Sequence, residues 1–306
     1  MKILLTGSSG MVGRNILDNI KASDYEFLTP TRKELNLLNI DSINEFLKSL
    51  KPDMVIHCAG IVGGIEANIQ YPVKFLQENL YIGLNIINAS NSNNINSFMN
   101  LASSCMYPKD IKNPLMEDSI LSGYLEPTNE GYALSKIVST KLCEYISREN
   151  PVKKYKTVIP CNLYGKYDNF DDKSSHMIPA VIKKLHLAHI NKSNNVNIWG
   201  DGESRREFMC ASSFSDFIFH AIENFNNMPQ NLNVGLGIDY SINEYYEVIA
   251  KTIGYKGRFN NDLTKPSGMK QKLVDISKLQ SFGWDNKISL QDGIIETYKY
   301  FKNCEL

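Results

Sequence analysis

A doubly wound α/β fold built on a parallel sheet is predicted by three observations. The chain opens on a short apolar run, residues 2–6, followed at once by Gly7-Ser8-Ser9-Gly10-Met11-Val12-Gly13 and then by helical spacing from Arg14 to Ile20. Short apolar runs then alternate with segments of period 3.6, the rhythm of parallel strands crossed by helices. A length of 306 residues with 42% hydrophobic content suits one large domain, or one large and one small.

Each element follows in order. Residues 2–6 read as a buried first strand. In the glycine turn, Gly7 allows the tight bend, Gly10 lets the backbone approach a pyrophosphate, and Gly13 lets helix pack on strand. Ser9, Met11 and Val12 complete the loop, and the free N–H groups of the helix start suit phosphate. Strand, glycine turn and helix in this order make a dinucleotide site of Rossmann type. Residues 25–29 read as a second strand, 43–50 as a helix, and 54–60 as a buried strand ending in small residues. A long helix is expected over 75–88, and a strand over 97–102. A helix over 131–150 is stopped by Pro151, and 155–160 is a further strand. From 166 to 205 the rhythm breaks, as expected of a substrate cap. Residues 231–234 read as a strand returning to the sheet, 241–253 as a helix, 254–275 as irregular, and 291–301 as the last helix. The expected division is a nucleotide-binding domain over 1–165, with returning segments near 207–240 and 276–300. A smaller C-terminal α/β substrate-binding domain is expected over 166–206 and 241–275.

Composition narrows the function. Lys+Arg and Asp+Glu number 33 each, so there is no basic field of the kind that binds nucleic acid. No run approaches the ~18 apolar residues of a membrane span. The six cysteines show no metal-binding spacing, so no metal is expected, and reduced thiols suit the cytoplasm.

The chemistry lies in two segments. Tyr132-Ala133-Leu134-Ser135-Lys136 sets a phenol and an ammonium one helical turn apart, where the cation is expected to lower the phenol's pKa. Such a phenol is a proton donor to an alkoxide forming from a ketone. Ser103, just past the 97–102 strand, adds a hydroxyl for the same carbonyl. Cys105 is not needed for ketone reduction and points to a second reaction. The second strand ends in Leu28-Thr29-Pro30-Thr31-Arg32-Lys33, with no acid for a ribose 2′-hydroxyl and with Arg32 available for a 2′-phosphate, so the expected cofactor is NADPH/NADP+.

These residues resemble the extended short-chain dehydrogenase/reductases, and within them the GDP-L-fucose synthase (GDP-4-keto-6-deoxymannose epimerase/reductase) family. The matching segments include Val62-Gly63-Gly64-Ile65, Ser103-Ser104-Cys105-Met106-Tyr107-Pro108-Lys109, Glu126-Pro127-Thr128-Asn129-Glu130, Asn162-Leu163-Tyr164-Gly165, Asp168-Asn169-Phe170 and Ser175-His176-Met177-Ile178-Pro179-Ala180. The resemblance implies a GDP-4-keto-sugar substrate inverted at carbons 3 and 5 and then reduced at carbon 4. It implies Cys105 as base and His176 as acid, with Ser103, Tyr132 and Lys136 serving reduction. Cofactor contacts are implied at Leu37, Ala59, Leu101, Lys136, Asn162 and Leu163, substrate contacts at Lys184, Trp199 and Arg206, and a homodimer through helices near 75–90 and 132–148. Some positions depart from the family's pattern. Ser8-Ser9 stands for His-Arg, Gly131 for Pro, Lys184 for Arg, Cys210-Ala211-Ser212-Ser213 for an aromatic or His, Val and two acids, and Pro266-Ser267-Gly268 for Pro-Asp-Gly. They leave the sugar open, and two alternatives stand: a carbon-4 reductase of a related GDP-4-keto-heptose, and a non-catalytic nucleotide-binding regulator.

Overall fold

A computed structural model describes residues 1–171, 175–264 and 269–304; the Pro266-Ser267-Gly268 departure lies outside them. Strands β1 (Lys2–Thr6), β2 (Glu26–Leu28), β3 (Met54–His57), β4 (Ser97–Leu101) and β5 (Lys154–Pro160) lie in one sheet. The chain then leaves it for β6 (Asn162–Tyr164), β7 (Asn195–Trp199), β8 (Arg205–Arg206) and β9 (Phe208–Cys210), and returns as β10 (Asn231–Val234) beside β5. The large sheet runs β2-β1-β3-β4-β5-β10, parallel throughout. The order reverses at β1, so a crevice opens beyond the strand ends there.

Helices α1 (Met11–Asp18), α2 (Ile40–Leu50), α3 (Ile65–Gln70), α4 (Pro72–Ser92) and α5 (Glu130–Glu149) accompany the first strands. Period-two alternation fixes which strand residue meets which layer. Ile3, Leu5, Ile56 and Met99 face one layer with Ile16 of α1. Leu4, Val55 and Phe98 face the other, with Ile43 of α2, Ile86 of α4 and Ile146 of α5. Burial on both faces explains why these strands read as continuous apolar runs.

A separate core joins α6 (Met177–Ile190), α8 (Ile242–Ile253) and α10 (Leu290–Cys304) through Ile178, Leu185, Tyr245, Ile249, Ile294 and Phe301. Between α6 and α8 in the chain, α7 (Ala211–Glu223) packs back on α1's side of the large sheet, followed later by the short α9 (Ser277–Ser281). Helix α8 begins with a capping box between Ser241 and Glu244 and ends at Gly254, whose φ of 85° suits a residue without Cβ.

The stretch expected to be irregular, 254–275, is not so. It holds β12 (Arg258–Asp262), parallel to β7, and β13 (Gln271–Lys272), parallel to β8. With β11 (Tyr240–Ser241) antiparallel on the other side, β8 centres a three-stranded sheet, β11-β8-β13. Strands of two residues leave no period in a sequence, and their partners lie far along the chain.

Candidate active site

The nucleotide loop has the packing its glycines require. Gly7 has φ 72°, and a Cβ there would lie 2.7 Å from the Ala59 amide nitrogen. A Cβ on Gly13 would lie 2.4 Å from the Gly7 carbonyl oxygen. Helix α1 starts at Gly10 with neither a side-chain cap nor an acid in its first turn, which leaves its leading N–H groups to an anionic ligand. Beyond β2, Arg32 is exposed, while Glu34 is folded back, accepting from the Thr31 N–H at 2.7 Å and its hydroxyl at 2.9 Å. Ala59 and Leu101 stand at the ends of neighbouring strands β3 and β4. Leu37 accepts at its carbonyl from Asn85, 3.0 Å away, and the β6 pair Asn162 and Leu163 runs beside Phe208 and Met209 of β9. The cradle fits a dinucleotide with a 2′-phosphate.

Past the end of β4, the Ser103 hydroxyl accepts from the Cys105 N–H at 3.2 Å and starts a single tight turn, Ser104–Met106. Helix α5 brings Tyr132 and Lys136 to the same place. Tyr132 and Ser103 share a hydrogen bond, and Lys136 lies 5.8 Å from the Tyr132 ring centroid while donating to the Leu101 carbonyl at 3.0 Å. Gly60 keeps this corner open, since a Cβ there would sit 3.7 Å from the Lys136 amine and 3.0 Å from Asn79 Oδ1.

The electrostatics differ from the expected phenol–ammonium pair. Burial pushes the Tyr132 phenol well above its ordinary value, negative charge on Cys105 adds to this, and the Ser103 bond opposes it. Burial also draws the Lys136 ammonium down to about 8. Desolvation outweighs the cation, so Tyr132 keeps its proton.

Two residues that carried no sequence signal of their own close on Cys105. Asn129 Nδ2 donates to its sulfur at 3.3 Å, and Lys272 Nζ at 3.6 Å. Asn129 sits in a matched segment without an assigned role, and Lys272 lies on β13, within the stretch expected to be irregular. The Asn129 Oδ1 atom is buried without a hydrogen-bond partner.

The remaining expected residues are spread along the rim. His176 caps α6 with its ring still reached by solvent, yet the protein around it disfavours the imidazolium and lowers its pKa. Arg206 of β8 donates to the Arg205 carbonyl at 2.8 Å; desolvation lowers its pKa and Glu126 opposes that. Lys184 donates to the Asn197 carbonyl beneath the Tyr246 ring, and Trp199, two residues along β7, is 54% exposed. Thus Ser103, Cys105, Tyr132 and Lys136 form one group. Arg206 borders it through Glu126 and Lys272, whereas Lys184 and Trp199 stand together on α6 and β7. His57 is structural: buried, it meets the Thr6 hydroxyl at 2.8 Å, and its pKa falls to about 3.

Residues 3–235 match the family model of the NAD dependent epimerase/dehydratase family. The chain belongs to this family. Within the NAD dependent epimerase/dehydratase family it is 60% identical to a GDP-L-colitose synthase of Yersinia pseudotuberculosis, over 99% of this chain and 98% of that one. It is 47% identical to a GDP-L-fucose synthase of Azorhizobium caulinodans, over 98% and 96%. A solved GDP-mannoheptose C4 reductase from Campylobacter jejuni with NADP bound superposes with a TM-score of 0.88 at 31% identity, covering 98% of each chain. As a family member the chain is a nicotinamide-dependent enzyme with the family's fold, and the regulatory alternative falls away.

Proposed function

We propose that the chain is an NADPH-dependent epimerase/reductase of a GDP-4-keto-6-deoxymannose-type sugar. One observation carries the reading: Cys105, superfluous for reduction, sits beside the Ser103–Tyr132–Lys136 group and receives two N–H donors of its own. The carbon-4 ketone acidifies the neighbouring C–H bonds. Cys105 takes the proton from carbon 5 on one face, and the C–H electron pair spreads onto the carbonyl oxygen. His176, held below its ordinary pKa, returns a proton to the opposite face, which inverts the centre. Ser103 then orients the ketone while Tyr132, still protonated, gives its proton to the carbon-4 oxygen. NADPH, when bound, supplies the hydride. Lys136 restores charge balance beneath the phenol. Arg206 and Lys184 suit the diphosphate, and the exposed Trp199 face suits the base or ribose.

Two sugars fit this chemistry. Higher identity to the colitose synthase than to the fucose synthase favours colitose, the 3-deoxy counterpart of fucose, as the product sugar. For that substrate only carbon 5 needs inversion. The test is incubation of GDP-4-keto-6-deoxymannose and its 3-deoxy analogue in deuterated water, with NADPH added afterwards and products identified by NMR. Deuterium at carbon 5 followed by NADPH oxidation is expected, faster with the analogue. Reduction without exchange on either sugar would convert the enzyme into a reductase alone and direct the search to 4-keto-heptoses.

We place the enzyme in the cytoplasm as a homodimer. Its six cysteines are all free, and among the described residues no helix is long and apolar enough to cross a membrane. Tyr81 on α4 and Leu134, Val138 and Tyr145 on α5 are all at least 38% exposed, an apolar face suited to a second copy.

A further inference from the structure

We propose that Lys272 is a positioning residue for the base: its ammonium pairs with a Cys105 thiolate and holds it charged and aimed at the sugar. The inference rests on Cys105 acting as base. Two N–H donors converge on one sulfur, Lys272 Nζ at 3.6 Å and Asn129 Nδ2 at 3.3 Å. A neutral thiol is a weak acceptor, whereas an anionic sulfur draws charge-assisted donors. The arrangement solvates a thiolate in place of water.

Lys272 is not a wandering surface lysine. Its strand is pinned on both sides. Lys272 pairs in register with Arg206 of β8. The next residue, Leu273, donates to Asn113 Oδ1 at 2.8 Å and accepts at its carbonyl from the Leu115 N–H at 2.8 Å. Val274 donates to the buried carboxylate of Glu207 at 3.0 Å. The backbone is therefore fixed at the point where the amine must reach the sulfur. Register with Arg206 adds a second consequence. Like charges directly opposite on paired strands repel, and each of these cations has its own anion: Cys105 for Lys272, and Glu126 or an incoming diphosphate for Arg206. One small strand pair thus carries the cation for the base and the cation for the substrate.

The test reads the thiolate without turnover, so its outcome is independent of which sugar is used. Iodoacetamide labelling of the full-length protein near neutral pH, followed by peptide mass spectrometry, compares Cys105 with the exposed Cys304 as internal control. Lys272→Met is expected to slow labelling of Cys105 about tenfold or more, with Cys304 unchanged, and Lys272→Arg to restore it to within about threefold. In turnover, Lys272→Met is expected to lose carbon-5 deuterium exchange by a similar factor, while reduction of the already inverted 4-keto sugar is retained. Should Lys272→Met not fold, the ultraviolet difference between the wild type and Cys105→Ser decides: thiolate absorbance at about 240 nm is expected. Its absence, or a Cys105 labelled equally fast without Lys272, would overturn the pairing.

Discussion

The Tyr132 phenol and the Cys105 thiol lie in one cluster yet need opposite protonation states. Burial keeps the proton on Tyr132, and the group that draws it off is a developing alkoxide rather than bulk solvent. Tyr132→Phe should therefore cut reduction by about 10²–10⁴ while carbon-5 deuterium exchange continues, measured on the same sample by NADPH oxidation and NMR. A third titrating group lies outside the reaction. Asp168 accepts from the Asn169 N–H at 2.8 Å through one oxygen, while the other is buried without a partner, and burial raises its carboxyl from 3.8 to about 7. Between those values the folded chain holds a proton that the unfolded chain has released. Asp168 therefore favours folding fully at low pH, and stability falls as pH rises through this window. Asp168→Asn should melt higher than the parent by a few degrees above about pH 8, with the gain gone below about pH 4. An equal shift at both ends of a calorimetric pH series would sink the assignment.

At the scale of elements, the nucleotide loop and the small sheet were legible to very different degrees. Gly13 joins α1 to β1 so tightly that a Cβ would also meet Ser8 Cα at 2.6 Å. Gly13→Ala must push the helix start away from the loop, since both obstructing atoms are backbone. NADPH affinity, followed by nucleotide fluorescence, should fall about tenfold or more, and an unchanged affinity would mean that the loop yields elsewhere. This element could be read from the chain because its signals are local: an apolar run, glycines at fixed spacing, then helical period. The same holds for α4 and α5, although α4 extends three and four residues beyond its expected bounds and α5 shifts by one residue at each end. Gly131 is one of the departures from the family's pattern, standing where the family has Pro. It makes a close approach, for a Cβ would meet the Pro72 carbonyl at 3.0 Å. Strands β8, β11 and β13 had no local signal. Two residues cannot show alternation, and what makes them strands is pairing across 34 to 66 positions of chain, as Arg206 with Tyr240 and Lys272. Lys272 was invisible for that reason, while Cys105 was visible through its segment.

At the scale of the whole molecule, the α4–α5 layer carries exposed apolar residues on its outer side. The two helices pack so closely that a Cβ on Gly83 would lie 2.3 Å from Ser139 Oγ, which makes them one rigid slab. On its outer side Leu134, Val138 and Tyr145 recur at i, i+4 and i+11 of α5, a single stripe, with exposures of 38%, 41% and 46%. Tyr81 of α4 adds 53% exposure to the same layer. A stripe repeated on an identical copy is self-complementary under a two-fold axis, and this slab presents it without an intervening loop. Val138 lies at the middle of the stripe and turns away from the buried face that carries Lys136, so a charge there should break association without touching the catalytic group. Val138→Arg is expected to sediment as a monomer where the parent sediments as a dimer. Ile190→Arg, at an even more exposed apolar site at the end of α6, should leave the dimer intact. A parent protein that is monomeric at micromolar concentration, or a Val138→Arg variant that stays dimeric, would remove this face as the interface.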